Sequence, residues 1–166
     1  MTPLGIAQAT RVVPAAAADI FELLARPAQH RLIDGSGTVK GVQRRTPERL
    51  SAGAKFGMQM HWGFRYQILN EVVEFDEGRR IAWRHFGGHV WRYLLEPIDA
   101  QTTRVTEQFD PTHSGSPTIL RLLRANQRNQ QSIERTLERL EDWARGREHS
   151  GLGFPDDDGD GLGVGV

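Results

Sequence analysis

The stretch from Pro117 to Arg145 constrains the fold more than any other part of this chain. Ser116 followed by Pro117 is typical of a helix start, because proline lacks the N–H that the first helical turn leaves unpaired. Gly146 is typical of a helix end, since glycine takes the left-handed conformation without a Cβ clash. The pattern between them predicts one helix over 117–145, about 43 Å long at a rise of 1.5 Å per residue.

One face of this helix is marked by eight residues at spacings of four and three: Ile119, Leu123, Asn126, Gln130, Ile133, Leu137, Leu140 and Ala144. Six of the eight are apolar, so this face is predicted to pack against the rest of the protein. The other two, Asn126 and Gln130, are amides, which suggests that a polar partner or a hollow space lies beneath them. Alternatively, the helix bends there and both amides face water.

Composition limits the classes of function that are open to this chain. Its 166 residues suit a single domain, and 21 basic residues balance 21 acidic ones, which argues against a general nucleic-acid binder. The absence of cysteine excludes disulfides, thiolate nucleophiles and zinc–thiolate sites. No signal peptide and no run of about 18 apolar residues is visible, so we expect a cytoplasmic protein without a membrane span.

Upstream of the long helix, the chain predicts a series of short elements. Residues 5–13 predict a strand, and residues 15–25 and 27–34 predict two short helices separated at Pro27. Alternation and turn residues then predict six strands, at 38–44, 55–62, 64–75, 79–86, 89–96 and 102–110. Hairpin-linked strands form antiparallel sheets, and the long helix can cover one face. The predicted fold class is α+β, with a seven-stranded antiparallel sheet and two short helices after strand one.

The hairpin formed by 79–86 and 89–96 allows two registers. A two-residue turn at Gly87-Gly88 pairs Trp83 with Arg92, whereas a three-residue loop from Phe86 to Gly88 pairs Trp83 with Trp91. We favour the second register, because a slip of one residue would mix an aromatic face with an arginine face.

Beyond Gly146 the chain is rich in glycine and aspartate and has no periodicity, which predicts a disordered tail over 147–166. Asp156, Asp158, Asp160 and Gly161 match the first half of a calcium-binding loop. No glutamate completes that loop and no second helix follows it, so we predict neither a metal site nor a cofactor.

Several strings resemble one protein family. The runs HRLIDGSG, EVVEFDEGRRIAWR, WRYLLEP and TTRVTEQFD, in this order of elements, are similar to the polyketide cyclase/dehydratase branch of the START-like (SRPBCC) superfamily. The resemblance covers roughly residues 5–146. It implies a helix-grip fold, in which the sheet wraps around the C-terminal helix and encloses an apolar cavity. It also implies a START-like ligand-binding domain over 1–146, but it transfers no catalytic residue.

Glu107 is the first candidate for chemistry, because alternation places it on the same face as Val105 and Phe109. Burial among apolar side chains would raise the pKa of this carboxyl, as a general acid or base requires. Alternatively, Glu107 pairs with an arginine near the end of the sheet, or a bulge turns it outward.

Histidines near the predicted loops are further candidates. His85 shares the inner face and is a second candidate acid or base, with His89 across the loop. The two flank a turn without a third ligand, so a half-exposed pair is favoured over a metal site. His30 and Asp34 follow the second helix near the expected cavity mouth, although Asp34 beside glycine also suits a simple turn.

Aromatic and thioether side chains on the strands are predicted to line the cavity rather than only to fill a core. The expected ligand-binding residues are Met58, Met60, Trp62, Trp83, Trp91, Tyr93, Asn126, Gln130, Ile133 and Leu137. The leading hypothesis is a carrier or sensor of a hydrophobic small molecule such as a lipid, a polyketide or another aromatic. The alternatives are a polyketide cyclase/dehydratase-type enzyme that uses Glu107, and a partner-binding domain whose cavity is incidental.

Overall fold

The structure is a computed structural model that describes residues 5–115 and 125–150. Within these ranges, the side chains of Trp62, Ala125 and residues 148–150 lie outside the description. The predicted helix start at Ser116 and Pro117 also lies outside the described residues, as do positions 119 and 123 of the apolar face and the segment 151–166.

The elements follow the predicted order. They are β1 (Ala7–Val13), α1 (Ala17–Ala25), a 3-10 turn (Pro27–Gln29), α2 (His30–Ile33), β2 (Val39–Val42), β3 (Lys55–Trp62), β4 (Phe64–Asp76), β5 (Arg80–His85), β6 (Val90–Asp99), β7 (Thr102–Asp110) and α3 (Ala125–Ser150). The strands form one antiparallel sheet in the order β1-β7-β6-β5-β4-β3-β2. The predicted α+β fold class is therefore confirmed.

The two edge strands of this sheet, β1 and β2, are the first two strands of the chain. The connection between them contains α1 and α2, and α2 packs against α3. α3 also packs against β1 and β7, as expected for a helix-grip arrangement. None of the helices within the described residues has the length and apolar character needed to cross a membrane.

The hairpin of β5 and β6 has the register that the aromatic pattern favours. Trp83 pairs with Trp91 and Ile81 pairs with Tyr93. The backbone N–H of His85 donates to the His89 carbonyl at 2.9 Å, so three residues, 86–88, connect the paired residues, and the last of them, Gly88, has a φ of 94°. A side chain at Gly88 would be strained at this angle, and its Cβ would overlap the carbonyl of His113. The predicted three-residue loop is therefore confirmed.

The predicted helix end at Gly146 is wrong, because α3 continues through this glycine to Ser150. Residues 147–150, which the sequence assigned to the tail, are thus helical. Glycine inside a helix costs about 1 kcal/mol relative to alanine. Contacts on both sides of the glycine offset that cost. Ala144 is buried in the core, the Arg147 guanidinium lies 4.8 Å from the ring centre of Trp143 on the preceding helical turn, and Arg147 pairs with Asp19 Oδ2 of α1 at 3.4 Å.

Asn126 and Gln130 cover the outer edge of β1. Gln130 Oε1 accepts the N–H of Gln8 at 3.1 Å, and Gln130 Nε2 donates to the Gln8 carbonyl at 3.0 Å. Asn126 Nδ2 donates to the Gly5 carbonyl at 2.7 Å. An edge strand leaves such main-chain groups without a strand partner, and the amides take that role. A polar partner does lie beneath the two amides, but it is the backbone rather than a ligand.

Replacing Gln130 with alanine should lower the free energy of unfolding by about 1 kcal/mol, because both hydrogen bonds to Gln8 are lost at a partly exposed site. Urea denaturation would measure the change. Gln127→Ala, at an exposed position on the same helix, is the matched control and should leave the stability nearly unchanged. Equal effects of the two substitutions would show that the amide contributes nothing to the β1 edge.

Candidate functional site

A cavity of about 710 Å³ lies between the sheet, α2 with its following loop, and α3. Its walls are largely aromatic and thioether side chains from the strands: Phe56, Met58, Met60, Trp83, Trp91 and Phe109. Phe64 and Phe86 also line it while being 65% and 75% exposed, so they mark where the cavity meets solvent. A space of this size and character is typical of small-molecule sites.

The cavity brings together most of the residues that the sequence selected. Met58, Met60, Trp83, Trp91 and Tyr93 line it, as do Glu107 and His85. The alternation of β3, β5, β6 and β7 explains this result, because inward positions of neighbouring strands face the same enclosed space. The side chain of Trp62 lies outside the described residues.

Four of the residues expected to bind the ligand have side chains that do not line the cavity. Asn126 and Gln130 bind the backbone of the β1 segment, and Ile133 and Leu137 are buried in the apolar core. A neighbouring face of α3 lines the cavity instead. The residues of this face are Arg128, Asn129, Ser132 and Thr136.

Sequence reasoning missed this second helix face. Asn129, Ser132 and Thr136 have helical spacings of three and four, which is a detectable stripe. These three side chains are polar, however, so from the sequence alone they look like part of the solvent-exposed surface of the helix. Only the packing of α3 against the sheet shows that these side chains border an internal space.

Glu107 on β7 is the most perturbed carboxyl within the described residues. Its side chain is only 2% exposed, and Tyr93 on β6 donates its hydroxyl proton to Glu107 Oε1 at 2.9 Å. Burial raises the pKa of Glu107 to about 8, and the negative charge of Asp34 adds to this rise, while the Tyr93 hydrogen bond opposes it. The expected upward pKa shift is confirmed, and neither the arginine pair nor the outward bulge occurs among the described residues.

Tyr93 remains a hydrogen-bond donor over the whole physiological range. Burial, followed by the nearby Glu107 carboxyl, raises the pKa of its phenol well above the usual value. Glu107 Oε2 has no hydrogen-bond partner within the described parts of the chain. One oxygen of the Glu107 carboxyl therefore accepts a hydrogen bond from Tyr93, and the other is available to a ligand.

His30 and Asp34 shape the end of the cavity next to α2. The ring of His30 stacks on Trp83 with 5.0 Å between centroids, and its Nε2 lies 2.8 Å from the Leu24 carbonyl. Burial lowers the pKa of His30, so the ring is neutral at pH 7. The Asp34 carboxylate accepts the backbone N–H groups of Ser36 and Val39, which matches the simple turn role.

His85 and His89 stack on each other across the β5–β6 loop, with 4.4 Å between ring centroids. Burial lowers the pKa of both imidazoles, and for His89 the neighbouring His85 contributes, giving a pKa of about 4. Both rings are therefore neutral at pH 7. Residues 5–115 and 125–150 contain no group of three or more metal-ligating side chains around this pair. An uncharged histidine pair at the cavity wall is what the structure shows.

No protein-family model matches the chain. It is 37% identical over 141 residues to Rv0088, an uncharacterised protein of Mycobacterium tuberculosis strain H37Rv, and 36% identical over 141 residues to MT0096, an uncharacterised protein of strain CDC 1551. Each match covers 81% of this chain and 62% of the relative. The chain thus spans about 62% of the length of the curated relatives it matches.

Several solved structures share the fold of this chain. The polyketide cyclase-like protein Cgl2372 of Corynebacterium glutamicum has a TM-score of 0.60 at 16% identity, covering 90% of this chain and 96% of that chain. Ms6760 of Mycobacterium smegmatis has a TM-score of 0.60 at 16% identity, covering 83% and 92%. BexL, a di-domain aromatase/cyclase of the BE-7585A biosynthetic pathway, has a TM-score of 0.62 at 17% identity, covering 90% and 49%. These matches show that the chain has the same helix-grip fold as these polyketide cyclase-like and aromatase/cyclase structures.

Proposed function

We propose that this protein binds a hydrophobic small molecule, such as a lipid, a polyketide or another aromatic compound, in its internal cavity, as a carrier or sensor. The observation that carries this proposal is the composition of the cavity. About 710 Å³ of space is bordered by aromatic and thioether side chains, and one buried carboxyl contributes an oxygen without a partner. A mostly apolar wall supplies affinity, and a few polar groups fix the ligand's orientation.

The proposed partner is a small molecule rather than a nucleic acid, because the chain has no net positive charge to exchange for phosphate counterions. A cytoplasmic location is part of the proposal and rests on the sequence alone. The fold relatives named as cyclase-like or aromatase/cyclase proteins support a planar, ring-containing ligand, although likeness of fold does not by itself transfer chemistry.

A second candidate function is a cyclase or dehydratase-type activity with Glu107 as acid or base. One observation favours it: the raised pKa of about 8 keeps this buried carboxyl protonated at neutral pH, inside the cavity and next to Tyr93. Native mass spectrometry of the protein purified from its own host would separate the two roles. A retained, chemically unchanged ligand supports a carrier, and a cyclised or dehydrated product supports the enzyme.

Binding of a neutral, environment-sensitive dye, N-phenyl-1-naphthylamine, tests the proposed cavity. Wild-type protein should bind it saturably with one site per chain. Ser132→Phe should weaken binding at least tenfold, because Ser132 lines the cavity and the added ring occupies ligand space. Dye fluorescence during titration is the measurement.

Gln131→Phe is the matched control, since Gln131 is the exposed neighbour on the same helix. Circular dichroism would establish that both variants remain folded. Saturable binding that is equally strong in wild type and both variants would place the dye outside the cavity. Absence of saturable dye binding to the wild type would contradict the proposed function.

A further inference from the structure

Glu107 Oε2 is an unpartnered polar atom in a buried position. The residue is 2% exposed, it lines the cavity, and this oxygen has no hydrogen-bond partner within the described residues. The other carboxyl oxygen, Oε1, accepts the Tyr93 hydroxyl at 2.9 Å. A buried polar group without a partner is destabilising, and in binding proteins it is commonly completed by the ligand.

The position of the carboxyl proton follows from the same geometry. Tyr93 donates to Oε1, so the acid proton resides on Oε2 when Glu107 is neutral. A pKa of about 8 means that the neutral form dominates at pH 7. Oε2 is then a hydroxyl donor at the wall of an apolar space, and its natural complement is an acceptor oxygen.

The surrounding charges favour a neutral ligand group over an ionised one. Seven other titratable side chains border the cavity: His30, Asp34, Tyr66, His85, His89, Tyr93 and Arg128. The three histidines and Tyr93 are uncharged at pH 7, as their shifted pKa values show. The negative charge of Asp34 acts on Glu107, and Arg128 is exposed on α3. An anionic ligand group at Glu107 would thus meet no buried cation among the described side chains.

We propose that the ligand carries a neutral acceptor oxygen, such as a ketone carbonyl, that accepts a hydrogen bond from Glu107 Oε2. This inference rests on the proposed function, since it assigns the polar contact of the same cavity. It makes Glu107 the specificity-determining residue: a flat apolar molecule with a carbonyl binds more tightly than the same skeleton without one. Tyr93 is the positioning residue, because its hydroxyl fixes which oxygen remains open.

Three probes of one skeleton test this inference: 9-fluorenone, fluorene and fluorene-9-carboxylate. Titrations that follow quenching of tryptophan fluorescence would measure each affinity at pH 6.5 and pH 9. At pH 6.5, wild type should bind fluorenone about tenfold more tightly than fluorene, which is the effect of one hydrogen bond. The carboxylate should bind more weakly than fluorenone. At pH 9 the fluorenone preference should largely disappear, because ionised Glu107 has no proton to donate.

Two substitutions locate the effect. Glu107→Gln places an N–H₂ donor where the Oε2–H was, so the fluorenone preference should persist at both pH values. Glu107→Leu should remove the preference at both pH values while fluorene still binds. Glu96→Gln, at an exposed position on β6, should behave as wild type. If Glu107→Leu does not fold, the comparison of wild type with Glu107→Gln across pH still decides the question.

The outcomes separate this inference from the proposed function. If fluorene and fluorenone both bind wild type with equal affinity at pH 6.5, or if the carboxylate binds best, the ligand does not carry the proposed acceptor oxygen, and the proposed binding function stands. The acceptor oxygen is also wrong if a folded Glu107→Leu variant keeps the fluorenone preference. If no probe binds and the dye titration is also negative, the proposed function fails together with this inference.

Discussion

Replacing Glu107 with glutamine should increase the free energy of unfolding at pH 7 by on the order of 3 kcal/mol. This is the cost of keeping the carboxyl neutral at pH 7, because its pKa is 4.5 in the unfolded chain and about 8 in the folded protein. Burial disfavours the charged form of Glu107, and glutamine keeps the shape and the acceptor for Tyr93 without titrating. Chemical denaturation of both proteins at several pH values would measure the difference.

The sign of the pH dependence follows from the direction of the shift. The folded pKa of Glu107 is raised, so its stabilising contribution is fully present below about pH 4.5 and is lost as pH rises toward 8. The two proteins should therefore be nearly equally stable near pH 4.5 and diverge above it. Protonation of His30, His85 and His89 lowers the stability of both proteins at acid pH and cancels in the comparison.

Glu74 provides a control of opposite sign. It pairs with Arg92 at 2.6 Å on the other face of the sheet, and this guanidinium lowers the pKa of Glu74. Glu74→Gln should therefore be destabilising at pH 7, where Glu107→Gln is stabilising. If Glu107→Gln were instead clearly destabilising at neutral pH, the carboxylate would be ionised and held by a cation, and the assignment of a neutral acid would be wrong.

Replacing Gly35 with alanine should lower the free energy of unfolding by about 3 kcal/mol, the upper part of the range for overpacking. Gly35 follows α2, and its N–H donates to Thr136 Oγ1 on α3 at 3.0 Å. A Cβ at this position would overlap the Ser132 carbonyl oxygen and the Thr136 amide nitrogen, both of which are helix backbone. Backbone cannot rotate aside as a flexible side chain can, so the loop or the helix has to move.

Thermal and urea denaturation would measure the effect of Gly35→Ala. Gly41→Ala is the matched control, because a Cβ there meets only Gln59 Oε1 at 3.9 Å, an ordinary contact. A change in dye affinity should accompany the loss of stability, since Ser132 and Thr136 both line the cavity. Unchanged stability of Gly35→Ala would show that the loop after α2 is not held against α3 as described.

The order and type of the elements could be predicted because each depends on local periodicity. Alternation in β3, β5 and β7 separates inward from outward side chains, and the aromatic pattern selects the β5–β6 register without knowledge of the rest of the chain. The same reasoning predicted a buried Glu107 with a raised pKa, because its neighbours Val105 and Phe109 are apolar and inward-facing. Each of these predictions depends only on residues that lie close together in the sequence.

What the sequence by itself determined is therefore the fold class, the strand faces and the aromatic wall that includes Trp83 and Trp91. Only the tertiary structure decided how α3 is rotated about its axis, which sends Gln130 to the β1 edge and Ser132 to the cavity. It also decided that the helix continues past Gly146 and that Tyr93 is the partner of Glu107. The physical reason is that these outcomes depend on contacts between residues far apart in the chain, whose energies exceed the local preferences of a glycine or an amide.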